Sequence, residues 1–187
     1  MGFRISVVVC VVGFLLGSLF THWIADSLTL WKSPVTDEQL WTAVSYYRIL
    51  ANSPPAILWG MSAITAVGGG ALLLSIRDGE AGNLMFDGAS IFLFLATLYT
   101  YLTTVIPTVF YTLPGLPEHV LTDVFPQHLR EPLSGLASAN LMCSVALTGV
   151  LALQAARHWA EIHDVDTAVV SEDESKPSSR AKTPNPS

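Results

Sequence analysis

The sequence predicts an all-α integral membrane protein: four transmembrane helices, an exoplasmic amphipathic helix in the first loop and a disordered C-terminal tail. Three observations carry this. Of the 187 residues, 51% are apolar and only 13% charged, against roughly 25% charged in an ordinary soluble domain. The apolar residues gather into four blocks, at about 5–24, 55–76, 88–110 and 134–156, each close to the roughly 20 residues of helix that cross a hydrocarbon layer of about 30 Å. None of these blocks contains Asp, Glu, Lys or Arg, and backbone groups in hydrocarbon have to pair internally, which makes each block helical. A soluble helical core would need an amphipathic shell to cover four apolar helices, and no such shell is present. The organisation that follows is a four-span membrane domain over 1–164 and a disordered cytoplasmic tail over 165–187.

The first block, "ISVVVCVVGFLLGSLF", follows Arg4 as the core of a signal peptide would. Trp23 and Ile24 in "THWIADS" spoil small-x-small cleavage sites, so the block is expected to stay as a span. Gly2 and Ser6 match a myristoylation pattern, but the adjacent hydrophobic helix inserts first and the match is taken as chance. Gly13 and Gly17 form a Gly-x-x-x-Gly pair, which lets helix backbones approach closely in lipid.

The first loop, 25–54, holds "TDEQLWTAVSYYRILANSPP". Thr36 with Gln39 three residues later makes a capping box, Asp37 and Glu38 suit a first turn, and Pro54 ends the element. Leu40, Val44, Tyr47 and Ala51 recur at helical spacing. An amphipathic helix lying on the membrane surface, folded over the bundle or simply connecting two spans satisfies this pattern equally well.

The second block carries Gly68, Gly69 and Gly70 in a row. In the third block Thr97, Tyr101, Thr104 and Thr108 form a hydroxyl stripe, and in the fourth Asn140, Ser144 and Thr148 repeat at intervals of four beside the small residues Gly135, Ala139 and Cys143. Such stripes bridge helices, each bond contributing roughly 0.6–2 kcal/mol. Asn140, Ser144, Thr148, Thr97, Tyr101, Thr104, Gly13 and Gly17 are therefore the candidate contact residues, either within the bundle or toward spans of another protein. Trp23, Trp59, Tyr111 and Trp159 fall near span ends, where amphipathic rings anchor depth, and Arg157 marks the exit of the last span.

Loop 111–133 has four prolines, His119, His128, Glu118, Asp123 and Glu131. It reads as an irregular cap, and no metal-ligand spacing appears in it. Cys10 and Cys143 lie in spans, which excludes a disulfide-stapled ectodomain, and no Asn-x-Ser/Thr acceptor exists. The side shared by both termini holds Arg4, Arg77, Arg157, Lys176, Arg180 and Lys182, against Lys32, Arg48 and Arg130 on the other, so both termini are placed in the cytoplasm.

Pumps, proton-coupled carriers and intramembrane proteases need titratable or nucleophilic groups at depth. The blocks contain no Asp, Glu, Lys or Arg, and the loops lack a P-loop, a dinucleotide fingerprint or a nucleophile elbow. No enzymatic activity, cofactor, metal site or nucleic-acid partner is expected.

Two stretches, "YYRILANSPPAILWGMSAITAVGGGALLL" and "LASANLMCSVALTGVLALQAARHWAE", resemble the fungal endoplasmic-reticulum packaging chaperones of amino acid permeases, named for a super-high-histidine-resistance phenotype. Tyr47, Pro54 and Gly68, then Asn140, Leu147, Gly149, Gln154, Trp159 and Glu161, stand in matching order, over roughly residues 5–164. The resemblance implies a non-catalytic, multi-pass chaperone of the endoplasmic-reticulum membrane that keeps newly inserted multi-span amino acid permeases from aggregating. It also implies assistance to their packaging into coated transport vesicles through the cytoplasmic tail, in which Glu172, Asp173 and Glu174 form a short acidic cluster of a kind that suits a docking strip for cytosolic coat proteins. The tail "SEDESKPSSRAKTPNPS" aligns with no motif, and no retrieval signal ends the chain. The competing expectation is a four-span channel or transporter accessory subunit, which predicts a water-lined path and a stable partner at the cell surface.

Overall fold

Among the described residues, the computed structural model has five α-helices: α1 (Gly2–Leu30), α2 (Asp37–Ala51), α3 (Pro55–Ile76), α4 (Ala81–Thr100) and α5 (Gln127–Ser175). Two π-helical turns, Tyr101–Val105 and Thr108–Thr112, carry α4 onward. The structure describes the backbone of residues 2–76, 81–113 and 123–175, and the side chains of 3–75, 84–113 and 123–163. Among the described residues there is no strand. Among the described residues, four helical stretches are long and apolar enough to cross a membrane: Phe3–Leu30, Pro55–Ser75, Leu84–Thr112 and Gln127–His163. One expected apolar block falls on each.

Two expectations change. Loop 111–133 is helical at both described ends, because α4's π-helical continuation runs to Thr112 and α5 begins at Gln127. Pro132 sits in the second turn of α5, where it removes one backbone donor near a terminus already short of partners. The spans are also longer than their apolar blocks and take in Asp26 and Asp87, buried at 4% and 1% exposure. The expectation of no ionisable group within the spans is therefore corrected: the helices continue past the apolar runs, and the packed bundle buries the first charges beyond them.

In the third span the departure from α-helix has a local cause. Pro107 has no N–H, and its ring crowds the carbonyl one turn back. Wider turns form on both sides, with Ile106 N–H donating to the Tyr101 carbonyl and Leu113 N–H to the Thr108 carbonyl at 3.1 Å.

Helix α5 is the centre of the bundle and packs along α1 and α4, while α3 lies against α1 and α4. Lipid gives apolar side chains no reason to leave it, so small residues decide where backbones meet. A Cβ on Gly68 would stand 2.6 Å from Val11 Cγ1, and one on Gly149 would stand 2.8 Å from Leu93 Cδ1. These two glycines set the α3–α1 and α5–α4 approaches.

The apolar interior has two parts. The membrane core joins Val8, Val12, Leu72, Phe94, Leu147 and Val150. The cap core joins Trp41, Val44 and Tyr47 of α2 to Val105, Val109, Phe125, Leu133 and Leu136. Of the arrangements open to α2, the structure shows the helix folded over the bundle. The expected capping box is formed, with Thr36 accepting from the Gln39 N–H and the Gln39 side chain accepting from the Thr36 N–H. Trp41 Nε1 donates to the Asp123 carbonyl at 2.9 Å, its ring packs edge-on against Phe125, and Asp37 pairs with Arg130. These contacts hold α2 to the start of α5.

Candidate client-contact surface

A polar layer lies where the cap core meets the membrane core. Asp26 of α1, Tyr47 of α2 and Asn140 of α5 meet there, all at least 96% buried. The Tyr47 hydroxyl donates to Asp26 Oδ1, and Asn140 Nδ2 donates to Asp26 Oδ2 at 3.1 Å and to the Tyr47 oxygen at 2.9 Å. The arrangement ties three elements through one carboxylate, which accepts from two donors. Burial, and next the charge of Asp26, push the Tyr47 phenol well above its ordinary range. Beside it, the Tyr46 hydroxyl donates to the Thr21 carbonyl at 3.1 Å and stands 3.0 Å from His22 Nδ1. Asn140 Oδ1 is buried without a partner.

A second layer closes the opposite end of the membrane core. Arg157 Nη1 donates to both carboxylate oxygens of Asp87 at 2.7 Å and to the Ser75 hydroxyl at 2.5 Å, while its Nε donates to Glu161 at 3.0 Å. Ser75 donates to Asp87 at 2.7 Å, and Gln154 Nε2 to the Ser90 hydroxyl at 3.0 Å. Arg157 is 3% exposed, and from the end of the last apolar run it ties α3, α4 and α5 together. Trp23, Trp59, Tyr111 and Trp159, by contrast, are all exposed, as ring anchors require. From Asn140 to Arg157 the helical rise is about 25 Å, so the two layers bracket most of a hydrocarbon thickness.

The expected contact residues divide between inside and outside. Asn140 faces inward. Ser144 is half-buried and donates to the Asn140 carbonyl at 2.9 Å, and Thr148 is exposed and donates to the Ser144 carbonyl at 2.8 Å. The α5 hydroxyls therefore bond back along their own helix rather than to a neighbour. Thr97 does the same to Leu93 at 3.0 Å, and its own carbonyl lies 3.8 Å from Cys143 Sγ. Tyr101 is half-buried against both cores, and Thr104 is half-buried. Gly13 and Gly17 face outward, with nothing within 4 Å of where a Cβ would stand. Glu172, Asp173 and Glu174 lie on the last turns of α5, their side chains outside those described, and residues 176–187 lie outside the described residues altogether. So do Glu118 and His119; among the described residues no group of three metal-ligating side chains occurs.

Gly17 opens a groove of about 530 Å³ between α1 and α5. Leu16, Leu19, Phe20, Leu30 and Leu141 supply its apolar walls, and Asp26, Asn140 and Ser144 its polar part. Sequence reasoning missed Asp26 and Asp87, and met Gln154 only as part of the family resemblance, without a role. Their signal was position: each stands within or just beyond an apolar run, at a place where the helix does not stop.

The family model described as SHR3 chaperone, ER membrane protein SH3, matches residues 1–186. No curated protein and no solved structure matches the chain. A match over nearly the whole length, on a bundle of four apolar helices, places the chain in the SHR3 family of endoplasmic-reticulum membrane chaperones, to which it belongs.

Proposed function

We propose that the protein keeps newly inserted multi-span amino acid permeases from aggregating in the endoplasmic-reticulum membrane and assists their packaging into coated vesicles, with both termini in the cytoplasm. The observation that carries this reading is the outward face of α1. Gly13, Phe14, Gly17, Phe20 and Ile24 are all exposed, without a charge among them, and Thr148 of α5 is exposed too. An uncharged face with small residues allows close, short-lived contact with other helices in lipid, where packing replaces the hydrophobic effect. A chaperone needs contacts of that kind, since a client has to be released. The tail strip of Glu172, Asp173 and Glu174 is proposed as the contact for coat proteins.

The test is permease behaviour in cells lacking the protein. Permeases are expected to accumulate as aggregates in the endoplasmic reticulum, and normal arrival at the cell surface would overturn the reading. Deleting 165–187 is expected to leave permeases unaggregated but slow their entry into vesicles. Surface labelling checks residence: the protein itself is expected to stay unlabelled.

A further inference from the structure

The groove between α1 and α5 runs lengthwise along the bundle. Its lining follows one face of α1 from Leu16 through Phe20, Trp23 and Asp26 to Leu30, with Leu141 of α5 opposite. From Asp26 to Leu16 the helix drops about 15 Å, half of a hydrocarbon layer of about 30 Å and so the depth of one leaflet. A volume of about 530 Å³ spread along the whole lining, about 21 Å of helix, leaves a slot roughly 5–6 Å wide, half the 10–12 Å of a helix with its side chains. One alkyl chain fits that slot, and a transmembrane helix does not.

The end of the slot nearest the cap has a different chemistry. Trp23, in the lining, is 42% exposed, and Trp31 is 62% exposed. The Trp31 N–H donates to the Ser27 carbonyl at 3.3 Å, which carries the helical path one residue past Leu30. Its ring leans back toward the start of α1 and stands 5.9 Å from that of Trp23, centroid to centroid, with the planes tilted by 46°. Two exposed indoles so inclined make an open aromatic corner. One turn from Trp23 lies Asp26, whose oxygens accept from Tyr47 and Asn140. Both partners are neutral, so among the described residues no cation pairs with this carboxylate. Its charge acts through space, needs no free lone pair to do so, and reaches further in a low dielectric than in water. A quaternary ammonium answers all of this: it has no N–H to satisfy, it carries the opposite charge, and indole faces are the aromatic surface it binds best.

We infer that the groove holds one phosphatidylcholine from the leaflet on the cap side, with an acyl chain lying along α1 from Asp26 to Leu16 and the choline group against Trp23 and Trp31. The inference goes beyond the chaperone reading and does not depend on it. A client span is too wide for the slot, an anionic headgroup is repelled by Asp26, and an ethanolamine headgroup brings N–H donors that aromatic faces leave unpaired. Gly17 and Phe20 belong both to the lining and to the outward face of α1, so the lipid covers that part of the face and leaves Gly13 and Phe14 outside its cover.

The experiment uses the full-length protein purified in mild detergent. It is offered equal amounts of phosphatidylcholine, phosphatidylethanolamine and phosphatidylglycerol with identical dioleoyl chains, and the lipid retained per chain is read by native mass spectrometry. One phosphatidylcholine per chain is expected, favoured over phosphatidylethanolamine by roughly two- to five-fold, the range of a cation–π contact at a partly exposed ring, with phosphatidylglycerol weakest. Replacing both tryptophans, Trp23→Leu with Trp31→Leu, is expected to equalise phosphatidylcholine and phosphatidylethanolamine while a lipid is still retained, because the slot stays apolar. Gly17→Trp fills the slot from a position that touches nothing and is expected to abolish retention at unchanged melting temperature. Val67→Trp, on the exposed side of α3, is expected to leave retention as in the parent.

Equal retention of the three lipids overturns the inference, as does retention that survives Gly17→Trp, which marks annular lipid only. Absence of any retained lipid overturns it too, and so does a preference for phosphatidylcholine that outlasts the loss of both tryptophans. None of these outcomes bears on permease aggregation in cells lacking the protein, so the two readings fail separately.

Discussion

Asn140 and Asp26 stand 114 residues apart in the chain and 3.1 Å apart in space, Nδ2 to Oδ2. With Tyr47 they join a span, a central helix and the cap helix at one point, and the polar stripe of α5 begins there with its one inward-facing member. The other hydroxyls of that stripe bond within α5. Asn140 is therefore a fastening between these three elements.

Replacing Asn140 with Leu removes two buried hydrogen bonds. The expected loss is about 1–3 kcal/mol, read as a lower melting temperature in detergent and reduced abundance. Unchanged melting would show that the Asp26–Tyr47 bond alone secures the cap.

The Arg157–Asp87 pair should behave as a unit. Arg157→Leu alone leaves the buried Asp87 without its cation, at a cost of about 3–5 kcal/mol, while Asp87→Leu leaves Arg157 still paired with Glu161 and is expected to cost less. The double variant is expected to recover much of that loss, and thermal melts of the four forms measure the coupling. Additive losses would contradict the geometry.

Glycines that look alike in sequence should separate into two classes. Gly68→Leu and Gly149→Leu drive side chains into Val11 and Leu93 and are expected to destabilise by about 1–3 kcal/mol. Gly13→Leu and Gly17→Leu meet open space and are expected to leave melting within about 0.5 kcal/mol of the parent, so that any loss of permease export in them reports on clients.

Tyr47 predicts an alkaline limit. Because burial and the Asp26 charge raise its pKa above the ordinary value of 10.0, the folded state holds a proton that the unfolded chain gives up. The sign follows from linkage: its contribution is fully present below about pH 10 and declines as pH rises beyond it. Melting temperature measured across that range is expected to fall less steeply in Tyr47→Phe than in the parent.

Much of this architecture was legible beforehand, for physical reasons. Length, low charge and four uninterrupted apolar runs are local properties, and a bilayer makes them sufficient, since only a helix pairs its own backbone in hydrocarbon. The capping box at Thr36 and Gln39 is equally local, and it formed as expected. The facing of each contact residue was not legible, because Gly13 and Gly68 follow the same small-residue pattern, yet one meets open space and the other Val11.

The sequence by itself therefore determined that this chain is a helical membrane protein with four spans and a helix in the first loop, because those follow from periodicity and composition within single segments. Only the tertiary structure decided that Asp26, Asp87 and Arg157 are buried in polar layers, and that α1 and α5 leave a groove beside Asn140 with its oxygen unpaired. Those features depend on which residues distant in the chain meet, and that is settled by how closely small residues allow backbones to approach and by which buried polar groups find partners.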